Sequence, residues 1–296
     1  MKISSTTFVI IAAFCWGLSG GIGGILIGDG YDPFLVTYYR GIIGWLFVLV
    51  WLIINPAQTG LKSGKLWFWS IVAGIGVAGN FTFYFISIAE GTVAVAVTLM
   101  YSAPVFVYIV SILLKLDKSS PRRWLAIILV IIGIGMLTKI YDIDSIGLTA
   151  IGIGSGILAG ISYAIFIFGF KNAASHGSPQ AILSIAFAVL ITILLLPNDP
   201  VEILAARRSA DWPLFALLGV LGAGLSFILY IIGLKHTTPV MASIVAMAEP
   251  VTASLFGVFI LSETLSGMQL TGLLLILTIV TLLNIKSNNR KGNYLK

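Results

Sequence analysis

Ten apolar runs, each near the length of a membrane-crossing helix, fill almost the whole chain and leave only short links between them. They fall at roughly 6–27, 33–54, 66–88, 93–115, 122–139, 147–170, 179–197, 212–234, 238–261 and 266–285. Crossing the hydrocarbon core takes about 20 residues of helix. A chain built this way keeps too little polar surface to cover a core in water. Of 296 residues, 58% are hydrophobic and only 9% charged, where soluble domains carry about 25% charged residues. The mean hydropathy of +1.07 agrees. The expectation is an all-α membrane protein with ten transmembrane helices. Pro33, Pro56, Pro121, Pro179, Pro213 and Pro239 stand at or near run ends, where a missing N–H costs little. No link is long enough for a separate soluble domain. The first run is long and followed by further spans, so it reads as a retained helix rather than a cleaved leader.

The net charge of +6 does not point to nucleic acid, because the basic residues lie in the short links. One set of helix ends carries Lys2, Lys62, Lys65, Lys115, Lys118, Arg122, Arg123, Lys171, Lys235, Lys286, Arg290, Lys291 and Lys296. The other carries only Lys139, Arg207 and Arg208, among the acids Asp29, Asp32, Glu90, Asp142, Asp144, Asp199, Glu202, Asp211 and Glu263. The positive-inside rule makes the basic side cytoplasmic. Both termini are then inside, in a multi-pass protein of the cytoplasmic membrane, and the links at 28–32 and 198–211 are external. The single cysteine, Cys15, has no partner for an internal disulfide or a metal site and reads as a small packed residue. No metal or cofactor is expected, and a monomer suffices.

Sliding the chain against itself by 146 residues brings Pro104 onto Pro250 (250 − 104 = 146). The same shift pairs Phe81 with Phe227, Tyr84 with Tyr230, Ile86 with Ile232, Thr92 with Thr238, Ala96 with Ala242, Val105 with Val251 and Asp117 with Glu263. Residues 1–146 and 147–296 thus form two five-helix repeats. An odd number of helices brings the second into the membrane from the opposite face, an inverted repeat typical of secondary transporters. No G-x-x-x-x-G-K-[ST] motif suggests a nucleotide motor. The glycine-rich start of the sixth run is not a dinucleotide loop: Gly152, Gly156 and Gly160 recur every four residues, which suits close helix packing. Gly74, Gly79, Gly133 and Gly135 are expected to serve the same purpose.

Four stretches carry a family resemblance: "AFCWGLSGG" in the first run, "YYRGIIGWLF" in the second, "LMYSAPVFVYIVSILLKLDK" in the fourth and "MAEPVTASLFGVFILSETLSGMQLTGLLLIL" across the ninth and tenth. In order and spacing the chain resembles the EamA-type branch of the drug/metabolite transporter superfamily, over essentially its whole length. One departure is Asp117, where the first repeat of that family usually carries Glu. The resemblance implies two inverted five-helix bundles and transport of small metabolites, often amino acid export. By its similarity to the family's aromatic amino acid exporters, it also implies that Asn80, Tyr84, Tyr101 and Tyr163 line a central cavity.

The residues themselves offer a wider set of cavity candidates. Trp16 sits mid-helix, away from the headgroup belt. Asn80 and Tyr84 are four apart on one face, and a buried amide needs a partner. Tyr101 and Ser102 precede Pro104, whose missing N–H frees the carbonyl of Met100. Ser162 and Tyr163 sit in the sixth run. The repeat register adds Ser226, Tyr230 and Met247 opposite Asn80, Tyr84 and Tyr101. Packing is the plain alternative for each of them. As a set, Trp16, Asn80, Tyr84, Tyr101, Tyr163, Tyr230 and Met247 suit an amphiphilic substrate, whose ammonium an aromatic face can hold.

Glu249 is the one acid inside a span, directly before Pro250 in "IVAMAEPVTASLFGV". A charged carboxylate at that depth costs about 3 kcal/mol or more on insertion scales. It is neutral and hydrogen-bonded, ion-paired, or facing a wet cavity, where it takes a proton or a substrate ammonium. Arg40, about two turns into the second run, either snorkels outward or meets that carboxylate. Pro104 and Pro250 should both kink their helices. An enzyme would want clustered acids or histidines at membrane depth, but His176 and His236 fall in predicted cytoplasmic links. A channel or receptor for small metabolites is the alternative, though no filter sequence or ring of charges is visible. The expected partners are a small-molecule substrate and membrane lipid, with a proton as a candidate coupling ion.

Overall fold

The structure, a computed structural model, describes residues 5–56, 59–142 and 149–293, with side chains as far as residue 283. Lys2, Asp144 and Gly147, and the side chains of Lys286, Arg290, Lys291 and Lys296, lie outside the described residues. The described chain is helical throughout. The first three helices are α1 (Ser5–Gly28), α2 (Pro33–Ile54) and α3 (Gly64–Ala89). The fourth run is divided into α4 (Val93–Met100) and α5 (Ala103–Leu113), followed by α6 (Pro121–Leu137). Then come α7 (Ala150–Ala173), α8 (Pro179–Leu194) and α9 (Pro200–Ala206). The eighth run comprises α10 (Trp212–Gly219), a π-helical segment Val220–Leu225 and α11 (Ser226–Lys235). The ninth is divided into α12 (Pro239–Ala246) and α13 (Ala248–Ile260), and α14 (Gly267–Asn293) closes the chain.

Among the described residues, seven helical stretches are long and apolar enough to cross a membrane. Four are α1, α2, α3 and α7. The other three are Val93–Leu113, Trp212–Lys235 and Pro239–Ile260. Of the remaining three expected from the sequence, Pro179–Leu194 and Gly267–Leu283 are shorter apolar helices. The third, α6, has 17 residues and opens on Pro121, Arg122 and Arg123. The link at 198–211, expected to be external, holds α9, a helix the sequence reading placed in a loop. Asp199 caps it by accepting from the Val201 N–H at 2.8 Å, with Pro200 at the first helical position.

The helix starts follow local chemistry. Asp32 accepts from the N–H groups of Phe34 and Leu35 at 2.7 and 3.3 Å, ahead of Pro33. Thr92 accepts from the Val95 N–H and Thr238 from the Met241 N–H, so the same cap opens α4 and α12 at positions 146 apart. The bounds of α4 and α12 are themselves displaced by that number (239 − 93 = 146; 246 − 100 = 146).

In lipid, helices associate through close packing and interhelical hydrogen bonds, because the tails are as apolar as leucine. Helix α3 packs on α7 and α8, α1 on α11 and α13, and α6 on α14. The glycine face of α7 is what allows its approach: a Cβ at Gly152 would lie 2.6 Å from the Glu90 carbonyl oxygen, and one at Gly156 2.7 Å from the Leu99 side chain. Leu196, Phe259 and Ile53 stand on the outside, 85%, 77% and 69% exposed. Such residues are a liability in water and the expected contact with acyl chains in a membrane.

Candidate functional site

A cavity of about 560 Å³ lies between the helices. Trp16, Arg40, Asn80, Tyr84, Tyr101, Tyr163, Glu249 and Pro250 all line it. Toward one end its wall is formed by Ile27 at the end of α1, Pro33 at the start of α2, Ile88 near the end of α3, Val93 at the start of α4 and Thr138 after α6. That end carries Asp32, Glu90 and Lys139 in its links, the end expected from the charge pattern to be external.

The other end is closed by rings. Trp16 meets Phe227 edge-on and Tyr230 at a tilt, both at 5.0 Å between centroids. Phe170 and Phe187 contact Phe227 at 5.8 and 5.2 Å. Below them, the Lys171 ammonium donates to the carbonyls of Leu234, Lys235 and Thr237 at 2.8, 3.0 and 2.8 Å. These carbonyls lie at and just beyond the C-terminus of α11, where a cation is favoured. The cavity therefore reaches one end of the bundle and stops at a packed aromatic floor.

Arg40 does not snorkel. Its Nε and Nη2 both donate to the Gly222 carbonyl, at 3.0 and 2.7 Å, and its guanidinium lies 5.2 Å from the Phe81 ring centroid. Gly222 belongs to the π-helical segment, the kind of helix distortion that recurs at functional sites. A Cβ at Gly222 would sit 2.8 Å from the Arg40 Nε and 2.6 Å from Ser19, so the guanidinium's approach requires glycine there. The expected ion pair with Glu249 is not formed: among the described residues, the salt bridge within 4.0 Å is Arg123 with Asp117. Glu249 nevertheless feels the charge of Arg40 and lies near Tyr101.

Asn80 finds its partner in the Ala159 carbonyl on α7, at 3.0 Å. The freed carbonyl of Met100 turns toward α7, where a Cβ at Gly160 would meet it at 3.2 Å, so it serves helix packing at this point. Tyr230 and Met247 do not line the cavity. Both are fully buried, Tyr230 in the aromatic floor and Met247 in the turn between α12 and α13. Pro104 is buried one residue into α5. Trp16 and Tyr163 are 4% and 3% exposed, and among the described residues neither the Trp16 Nε1 nor the Tyr163 hydroxyl has a hydrogen-bond partner.

Sequence reasoning missed Phe81, Phe227, Gly17 and Gly222. Phe81 and Phe227 line the cavity and are mates in the 146-residue register, so the repeat held a usable signal. Gly17 brings two motifs of the family resemblance together: a Cβ there would lie 2.6 Å from the Glu249 carbonyl oxygen and 2.9 Å from the Ala253 nitrogen. The early Trp-Gly and the later Glu-Pro thus form one contact between α1 and α13. Gly222 falls on Gly76 in the same register (222 − 76 = 146), so the repeat held a signal there as well.

Among the described residues, no group of three His, Cys, Asp or Glu side chains could hold a metal ion. An apolar helical bundle around a cavity with aromatic and charged walls is the architecture of a multi-pass membrane transporter. The comparisons agree. The model of the EamA-like transporter family matches twice, over residues 4–139 and 150–285, and the chain belongs to that family. Both ends of the two matches differ by the repeat interval (150 − 4 = 146; 285 − 139 = 146). An uncharacterized transporter of Archaeoglobus fulgidus is 30% identical over 251 residues, 82% of this chain and 83% of its own length. YwfM of Bacillus subtilis, also an uncharacterized transporter, is 28% identical over 91% of this chain and 90% of its own. The threonine/homoserine exporter RhtA of Escherichia coli K12 is 26% identical over 68% of this chain and 65% of its own. A crystal structure 17% identical in sequence superposes with a TM-score of 0.76 over 96% of this chain and 98% of its own, a likeness of fold alone.

Proposed function

We propose that this chain is a secondary transporter that exports small amphiphilic metabolites, amino acids foremost, across the cytoplasmic membrane by alternating access around the central cavity. The observation that carries this reading is the shape of the site: a polar and aromatic chamber that reaches one end of the bundle and is sealed at the other by packed rings. A through-pore would not need such a floor, and a receptor would not need a chamber at the junction of two repeats. Ten spans in two inverted halves, both termini cytoplasmic, would make the second half able to take up the arrangement of the first. The conformation described here is then the one open to the outside. Export of amino acids draws support from the name of RhtA, a threonine/homoserine exporter.

The test is flux in sealed proteoliposomes containing only this protein, assayed with a panel of amino acids. Counterflow of a labelled amino acid against an unlabelled internal pool is expected. Flux that saturates without counterflow, or ion conductance through the same vesicles, would replace the transporter reading with a channel.

A further inference from the structure

Two opposite charges face one cavity and do not meet. Arg40 and Glu249 both line it and interact electrostatically, yet no ion pair within 4.0 Å joins them. In a weakly screened interior, opposite charges attract strongly and close on each other unless something holds them apart. Here Arg40 is held at its side chain and Glu249 at its backbone. The Gly222 carbonyl takes two N–H groups of Arg40, leaving Nη1 uncommitted. The Glu249 backbone packs against Gly17 of α1, and Tyr101 lies near its side chain.

We infer that the space between these groups is a binding site for a zwitterion, in which Arg40 takes the carboxylate of the substrate and Glu249 takes its ammonium. This rests on the transporter reading above and specifies its substrate class. A purely anionic ligand would set a second negative charge against Glu249, and a purely cationic one a second positive charge against Arg40. A molecule that carries both a few ångströms apart, as an α-amino acid does, satisfies each wall. A guanidinium suits a carboxylate because its planar N–H groups match the two oxygens. Trp16 and Tyr163 also line the cavity, although the Trp16 Nε1 and the Tyr163 hydroxyl are themselves shielded from it and have no hydrogen-bond partner among the described residues. The rings of Phe81 and Tyr84 remain for the substrate side chain.

The experiment is competition against counterflow of labelled L-threonine and L-phenylalanine in proteoliposomes. The competitors are the parent amino acid, its amide (no carboxylate) and its 2-oxo acid (no ammonium). In the wild type each singly charged analogue should compete at least tenfold more weakly than the parent. In Glu249→Gln, the advantage of the parent over the oxo acid should shrink to within about threefold. In Arg40→Gln, its advantage over the amide should shrink likewise. Folded state is checked by size-exclusion profile. The wild-type competition decides the matter even where a variant fails to fold. Analogues that compete as well as the parent would overturn the zwitterion site and leave the transporter standing. Absence of counterflow for every amino acid in the panel would overturn both.

Discussion

The chain breaks a membrane-crossing helix twice, 146 residues apart, and the two breaks differ in what they carry. At the first, α4 stops at Met100, Tyr101 and Ser102 turn, and Pro104 sits one residue into α5. At the second, α12 stops at Ala246, Met247 turns, and Pro250 sits two residues into α13. Each proline lies in the first turn after its break and cannot donate the bond that would run back across it, so the backbone device is the same. The side chains are not. The first break presents a tyrosine to the cavity, and the position matching Glu249 is Ala103, fully buried. The second turns its methionine into the core and presents a carboxylate instead. Duplication supplied one scaffold, and the two breaks then diverged: the first presents an aromatic ring to the cavity and the second a carboxylate.

That divergence makes the breaks separable by experiment. The largest effect expected is all-or-none and concerns which end the breaks face. In a background with Cys15 replaced, Ala210→Cys should react with an impermeant maleimide on intact cells, and Lys118→Cys should not. Both positions are exposed and lie at opposite ends of the bundle. The reverse pattern would turn the cavity toward the cytoplasm and overturn the outward-open assignment.

Next in size is the clamp on each break. Gly17→Leu and Gly160→Leu should each lower folded yield sharply. The first drives a side chain into the Glu249 backbone, the second into the Leu99 carbonyl and the Ser102 hydroxyl. Overpacking of this kind costs about 1–3 kcal/mol or more. Gly154→Leu, with nothing within 4 Å of its Cβ position, should be close to neutral. Wild-type yield for Gly17→Leu would mean that α1 does not hold the second break in place.

A crossed pair of truncations comes third. Met247→Ala should destabilise by about 2 kcal/mol while leaving substrate affinity nearly unchanged. Tyr101→Ala should weaken transport roughly tenfold with less effect on the unfolding temperature. The opposite outcome, an affinity loss at Met247 alone, would move the binding surface from the first break to the second. The smallest effect is expected at the closed end. Lys171→Met removes three donated bonds at a partly exposed site, worth about 1–2 kcal/mol, and should lower the thermal midpoint by a few degrees. An unchanged midpoint would assign the closure to the rings alone.

Much of this was legible without coordinates. The apolar runs and their prolines are local features, and an apolar run of about 20 residues in hydrocarbon forms a helix because its backbone groups must be satisfied within the segment. The 146-residue register survives in the prolines and in the caps Thr92 and Thr238, since caps and kinks depend on a few neighbouring atoms. Tyr101, Tyr163, Asn80 and Glu249 stood out as polar or aromatic groups at a depth where they are expensive.

Facing was not legible. In a soluble helix the contrast between a dry face and a wet face reveals what points inward. Here lipid and protein core are both apolar, so Phe14, 49% exposed, and Val9, fully buried, look alike in one helix. Tyr84 and Tyr230 are mates in the repeat, yet only Tyr84 lines the cavity, because the two halves pack differently around the same register. Only the tertiary structure could decide that Arg40 binds the carbonyl of Gly222, 182 residues away, rather than Glu249. The sequence alone determined that this chain spans a membrane in repeated helices broken at two prolines. Which charges share its cavity, and that they are held apart there, was decided by long-range packing, since each depends on atoms that no local pattern brings together.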